Sequence, residues 1–184
     1  MQVDQDVDND SLWAEEQDFP EPGTAMDHIY SNQNYPEESN FNPIAEKIVI
    51  VDAINHALHE EMELNEKMVV YGQDIADPKG GVFTATKGLS DKFGNGRVFN
   101  SPLAESSIVG TAVGMAVSGY KPVVEIQFGD YIWTAMMQIR NEVATMRYRS
   151  NNSWACPMVI RVPVGGYIHG ALCHSQSIDG LSLI

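Results

Sequence analysis

Beyond residue 50 this chain alternates helical patterns with short apolar runs, and that alternation constrains its fold more than any other feature. Met68-Val-Val-Tyr-Gly72, Arg97-Val-Phe99, Pro122-Val-Val-Glu-Ile-Gln-Phe128 and Pro157-Met-Val-Ile-Arg-Val-Pro163 each read as a strand. Runs this short and this apolar suit strands buried on both faces. Between them, Val51, Ile54, Ala57 and Leu58 fall at helical spacing and place a helix over about residues 51–64. A second helix is expected over about 105–118. A third, long one is expected over about 131–149, with Ile132, Met136, Ile139, Val143 and Met146 on one face. Residues 74–96 carry Pro78, Gly80, Gly81, Gly88, Gly94 and Gly96 and read as loops around a short helix near 88–93. Strands alternating with helices imply an α/β fold: a doubly wound, mainly parallel sheet of about four strands, covered on both faces. The sequence ends on Asp179-Gly-Leu-Ser-Leu-Ile184 without a closing helix. The domain, placed at residues 43–184, is therefore expected to be incomplete at its C-terminal side.

Residues 1–42 have a different character. No Lys or Arg precedes Lys47, whereas Asp4, Asp6, Asp8, Asp10, Glu15, Glu16 and Asp18 crowd the start of the chain. The formal net charge of −14 thus describes an arm more than a domain, and it argues against nucleic acid or an anionic membrane as partner. Pro20, Pro22, Pro36 and Pro43 interrupt long elements, so the arm is expected to be disordered or extended. Its aromatics, Trp13, Phe19, Tyr30, Tyr35 and Phe41, would let it lie across a partner's surface. No apolar run approaches the roughly 18 residues of a membrane span, and no secretory leader pattern opens the chain. Cys156 and Cys173 have no metal-type spacing and read as reduced thiols. A soluble, cytoplasmic protein is expected.

Glu105 is the first candidate for chemistry. It opens a helix of very small residues, Glu105-Ser-Ser-Ile-Val-Gly110-Thr-Ala-Val-Gly114-Met-Ala-Val-Ser-Gly119. A carboxylate in a first helical turn is favoured by the helix dipole. One carried into a packed interface would resist ionisation and share a proton. Gly110 and Gly114 suit either close packing on the chain's own sheet or a helix of another subunit. Gln127 and Tyr131 follow the third strand, where ligands of parallel sheets gather. Taken alone, Tyr131 reads first as a partly buried packing residue. His169 and His174 lie in a loop after the last strand, suited either to proton transfer or to a structural hydrogen bond. Arg147-Tyr-Arg149 reads as surface charge or as a site for a phosphate or acidic partner. The sequence contains no dinucleotide-binding glycine motif, phosphate-binding loop or nucleophile elbow.

Five strings carry a resemblance: Phe99-Asn-Ser-Pro-Leu-Ala-Glu105, Val123-Val-Glu-Ile-Gln-Phe-Gly-Asp-Tyr131, Gln138-Ile-Arg-Asn-Glu142, Met146-Arg-Tyr-Arg-Ser-Asn-Asn152 and Gly170-Ala-Leu-Cys-His-Ser-Gln-Ser177. Over about residues 47–177 the chain resembles the pyrimidine-binding domain of thiamine-diphosphate-dependent 2-oxoacid dehydrogenases, in the beta subunit of the decarboxylating component. The resemblance implies that Glu105 bonds the cofactor's aminopyrimidine and promotes its imino form. Tyr131 would sit beside the ring with Gln127, and Ile108 would lie near it. His174 would assist acyl transfer to a lipoyl arm, and His169 receives no role. The site for the cofactor's diphosphate and magnesium would belong to an alpha-type partner, since the Gly-Asp-Gly motif of that part is absent here. No metal-binding side chain is assigned, although potassium can be held by backbone carbonyls near 157–160 in this family. A second copy of the chain and a lipoyl-bearing acyltransferase are the other implied partners. The expected reaction is oxidative decarboxylation of a branched-chain 2-oxoacid, or of pyruvate. The rival expectation is a non-catalytic fragment that only docks onto an alpha-type partner. A transketolase-like synthase fits less well, because it lacks the string around His174.

Overall fold

The computed structural model describes residues 2–32 and 47–180. Among the described residues, four strands form one sheet: β1 (Met68–Gly72), β2 (Val98–Asn100), β3 (Lys121–Glu125) and β4 (Val159–Arg161). Every pairing is parallel, in the order β2-β1-β3-β4. The chain also forms helices α1 (Gln2–Glu15), α2 (Ile50–Leu64), α3 (Leu89–Phe93), α4 (Glu105–Val117) and α5 (Met146–Arg149).

All five residues of β1 are buried, because that strand is central and covered on both faces. Alternate side chains divide between the two faces. Met68 and Val70 join Val98 against Leu58 and Met62 of α2 and Leu89 of α3. Val69, Tyr71 and Val124 join Ile108 and Ala112 of α4 on the other face. This is the doubly wound α/β arrangement that the alternating sequence implies. The β1–β3 register sets Gly72 opposite Glu125. A Cβ added to Gly72 would lie 2.4 Å from the Glu125 carbonyl oxygen. That atom is backbone and cannot swing away, so Gly72→Ala is expected to cost about 1–3 kcal/mol through overpacking. Urea unfolding checks this, and an unchanged midpoint would mean that the two strands do not approach so closely.

Two expectations are corrected. The N-terminal arm was expected to be disordered or extended, but residues 2–15 form helix α1, which buries no residue. Local bonds hold it, among them Gln2 Nε2 to Asp6 Oδ1 at 3.0 Å and Ser11 Oγ to the Val7 carbonyl at 2.8 Å. Tyr35, Phe41, Pro36 and Pro43, together with the boundary at 42/43, lie outside the described residues. The continuous helix expected over 131–149 is instead three pieces: a 3-10 segment, Gly129–Ala135, a π-helical segment, Gln138–Val143, and the short α5. Side-chain hydroxyls compete for the helical carbonyls. Ser106 Oγ takes the Thr134 carbonyl, and Thr145 Oγ1 takes that of Asn141. The apolar face survives the breaks, with Ile132, Ile139 and Val143 packed around Val109, Ile126 and Ala135.

On α4 the alanines, not the glycines, meet the sheet. Ala112 and Ala116 are buried. A Cβ on Gly114 would meet nothing within 4 Å, and one on Gly110 would meet only Gln138 Cγ, at 3.5 Å. Packing on the chain's own sheet therefore does not explain Gly114. Arg147 bonds Asn152 Oδ1 at 2.6 Å, and Arg149 pairs with Glu142 at 3.1 Å, so both arginines are engaged by local partners.

Candidate functional site

From β1 the chain passes to one side of the sheet, toward β2, and from β3 it passes to the other, toward β4. The carboxyl ends of β1 and β3 therefore flank a topological switch point, where open α/β sheets form ligand clefts. Gln73 and Asp74 leave β1 there, and Ile126, Gln127 and Phe128 leave β3. Gln127 Nε2 donates to Asp74 Oδ2 at 3.0 Å and ties the two exits together.

Glu105 reaches this region from the first turn of α4. Its Oε1 accepts from Gln73 Nε2 at 2.9 Å, and its Oε2 accepts from Thr134 Oγ1 at 3.1 Å. Burial is the largest single influence on this carboxyl and pushes its pKa up. The Gln73 amide, its own backbone N–H and the Thr134 hydroxyl together outweigh burial and hold the pKa below the ordinary glutamate value. This corrects the expectation of a carboxyl that resists ionisation: in the chain by itself Glu105 is partly exposed and carries its charge. Each carboxylate oxygen keeps spare acceptor capacity.

A second cluster stands beside the first. The Tyr131 hydroxyl and His174 Nε2 lie 2.7 Å apart, one donating and the other accepting according to the imidazole tautomer. Phe128 packs edge-on against both rings, at 5.7 Å from Tyr131 and 4.7 Å from His174. Thr134 Oγ1 links the clusters, lying 3.2 Å from the Tyr131 carbonyl while it bonds Glu105. Gly170 gives His174 its place, because a Cβ there would lie 2.4 Å from His174 Cβ. His174 and Phe128 also line a cavity of about 520 Å³ with Ile54, Phe83, Arg161 and Val164. His169 is exposed, with φ at 54°, and takes no part in these clusters.

Ile108 is only 1% exposed and packs in the core against Val69, Tyr71 and Val124. Its carbonyl accepts the Tyr71 hydroxyl at 2.9 Å, so it anchors the helix that presents Glu105. Sequence reasoning passed over Gln73 and Thr134, although Gln73 follows a strand end as Gln127 does. It also passed over Glu125, which neighbours Arg161 across β3 and β4. Glu125 is 2% exposed, pairs with Arg161 and accepts the Val82 N–H at 3.1 Å. Burial, the largest influence, pushes the Glu125 pKa up despite the Arg161 charge and both bonds.

A carboxylate, a buried amide and aromatic rings thus meet at the switch point of a doubly wound α/β domain. Residues 46–179 match the model of the family described as transketolase, pyrimidine binding domain, and the chain belongs to that family. Among known proteins it is 52% identical over 131 residues to the 2-oxoisovalerate dehydrogenase subunit beta of Bacillus subtilis, covering 71% of this chain and 40% of the relative. It is 42% identical over 135 residues to the pyruvate dehydrogenase E1 component subunit beta of the same organism, covering 73% and 41%. It is 45% identical over 139 residues to the mitochondrial 2-oxoisovalerate dehydrogenase subunit beta 2 of Arabidopsis thaliana, covering 75% and 38%. The chain thus spans about two fifths of the length of these relatives.

Proposed function

We propose that this chain forms the pyrimidine-binding part of a thiamine-diphosphate-dependent 2-oxoacid dehydrogenase, the component that decarboxylates a 2-oxoacid and passes the acyl group to lipoamide. The observation that carries the proposal is the charged Glu105 carboxylate, bonded by Gln73 and Thr134 at the switch point. A branched-chain 2-oxoacid is the first substrate and pyruvate the second, in keeping with 52% against 42% identity to the two Bacillus subtilis relatives.

The residues fit the cofactor's ring. An aminopyrimidine edge donates N–H, and the site offers acceptors: the two oxygens of Glu105 and the buried Gln73 Oε1, which has no partner among the described residues. Tyr131 and Phe128 supply aromatic surface beside them. Thiamine diphosphate, when bound, supplies the nucleophilic carbon that attacks the 2-oxoacid. Glu105 holds the proton exchanged with the ring nitrogen. Gln127 lines the strand end, and Ile108 supports the ring from the core side. His174, oriented by Tyr131, moves a proton during transfer to the lipoyl arm. Diphosphate and magnesium are assigned to an alpha-type partner, because the relatives are beta subunits. Potassium held by carbonyls near 157–160 remains an expectation of the resemblance, and no step depends on it. The open face at Gly114 is offered to a second copy, and a lipoyl-bearing acyltransferase receives the acyl group. Free Cys156 and Cys173 suit the reducing cytoplasm.

Reconstitution with an alpha-type subunit, cofactor and magnesium tests this function. Two assays run side by side: acyl transfer to lipoamide, and decarboxylation with an artificial electron acceptor. Both activities are expected, and His174→Ala should lower the first far more than the second. An assembled complex with neither activity would assign the chain to docking alone, and equal loss in both assays would remove His174 from acyl transfer.

A further inference from the structure

Gln73 leaves the end of β1 with only 2% of its surface exposed. A glutamine buried to that degree normally has both ends of its amide bonded. Here one end is bonded, Nε2 donating to Glu105 Oε1 at 2.9 Å. The other, Oε1, is buried without a partner among the described residues. An unbonded buried carbonyl opposes folding. Stability by itself would therefore favour an apolar side chain of the same length at this position.

We propose that Gln73 is the positioning residue of this site: it fixes the direction and the negative charge of the Glu105 carboxylate before a ligand arrives. This rests on Glu105 being the group that meets the cofactor's nitrogen base, but its test does not. Among the described residues the groups bonded to Glu105 are all neutral. They are Gln73 from the end of β1, Thr134 from the 3-10 segment and its own backbone N–H at the start of α4. Asp74, the charged neighbour of Gln73 in the chain, is turned to Gln127 and to Lys79, at 3.0 and 3.6 Å. Of the two side-chain donors, Gln73 is the buried one, and Thr134 is exposed. Without the buried donor, the burial that opposes the Glu105 charge is left less opposed.

The test is an NMR titration of the chain with 13C-labelled glutamate side chains, with no cofactor or partner present. Glu105→Gln identifies the Glu105 signal. Gln73→Met keeps the length and the apolar bulk but removes the donor. The expected result is a Glu105 midpoint displaced upward from the wild-type value, with a thermal midpoint equal to or above wild type. Gln73→Glu sets a second carboxyl against the first, and the pair is expected to titrate in two separated steps. An unmoved Glu105 midpoint in Gln73→Met overturns the proposal, whatever the stability does. If Gln73→Met fails to fold, Gln73→Glu decides: a single step at the wild-type midpoint overturns the proposal, and two steps uphold it. The titration can succeed while the cofactor assignment fails, and the reverse, so the two remain separable.

Discussion

Glu105→Gln in the reconstituted enzyme is expected to cut 2-oxoacid decarboxylation by about 10²–10⁴-fold, the range that a positioned proton-transfer group contributes. The amide has the carboxylate's shape. Its oxygen still accepts the Gln73 amide, so α4 keeps its position and far-UV circular dichroism should not change. The charge is what disappears, and with it the ability to hold a proton at a ring nitrogen. The effect on stability should be small, because Glu105 is partly exposed. Its sign follows from the lowered pKa. A carboxyl whose folded value lies below its unfolded one adds stability above the unfolded value, and loses it as pH falls through the folded value. Wild type and Glu105→Gln should therefore differ in unfolding midpoint near neutral pH and converge in acid. A variant that keeps most of its activity would reduce Glu105 to a helix-start residue.

Arg161→Met should have the largest effect on stability. It leaves Glu125, 2% exposed, without its ion-pair partner. Breaking a buried pair from one side costs about 3–5 kcal/mol, a large share of the roughly 5–15 kcal/mol that holds a typical domain together. The Val82 N–H remains as a bond to Glu125, but one neutral donor does not replace a guanidinium. The Glu125 pKa is already raised by burial against the pull of Arg161, and removing Arg161 raises it further. A group whose folded pKa exceeds its unfolded one gives stability that is present below the unfolded value and is lost as pH rises through the folded value. The variant should therefore be weakest at neutral and alkaline pH and should recover toward the acidic side of the ordinary glutamate range. Denaturant melts across that window measure this, and Glu125→Gln added to Arg161→Met should restore much of the loss. A single variant as stable as wild type at pH 8 would show that the pair carries no such burden.

The sheet was legible because its strands are apolar throughout and end in recognisable residues. Met68-Val-Val-Tyr-Gly72 could be delimited to the residue because burial on both faces leaves no polar position in it. The 131–149 region was misjudged for a tertiary reason: Ser106, on a different helix, takes a carbonyl that an uninterrupted helix would use. Apolar spacing carries no sign of such competition. The α1 helix was missed because proline content and charge describe the arm as a whole, whereas its first fifteen residues contain no proline. Within the candidate site, Glu105, Gln127, Tyr131 and His174 announce themselves by position at a helix start, a strand end or a glycine-rich loop. Gln73 and Thr134 matter through what they touch, and the partners lie 32 and 29 positions from Glu105 along the chain.

The strand order also sets a timetable. β1 is one of the two interior strands of the sheet, yet both of its neighbours are made after it, first β2 and, only from Lys121 onward, β3. No two strands here can close as a hairpin, so each pairing waits for an intervening crossover to be synthesised and to close its loop. While the chain emerges from the ribosome, Met68–Gly72 is an all-apolar ribbon whose β3 side stays bare until residue 125 has appeared. During that interval the most completely buried strand of the finished protein is its most vulnerable segment, open to chaperones and to the same ribbon on a neighbouring nascent chain.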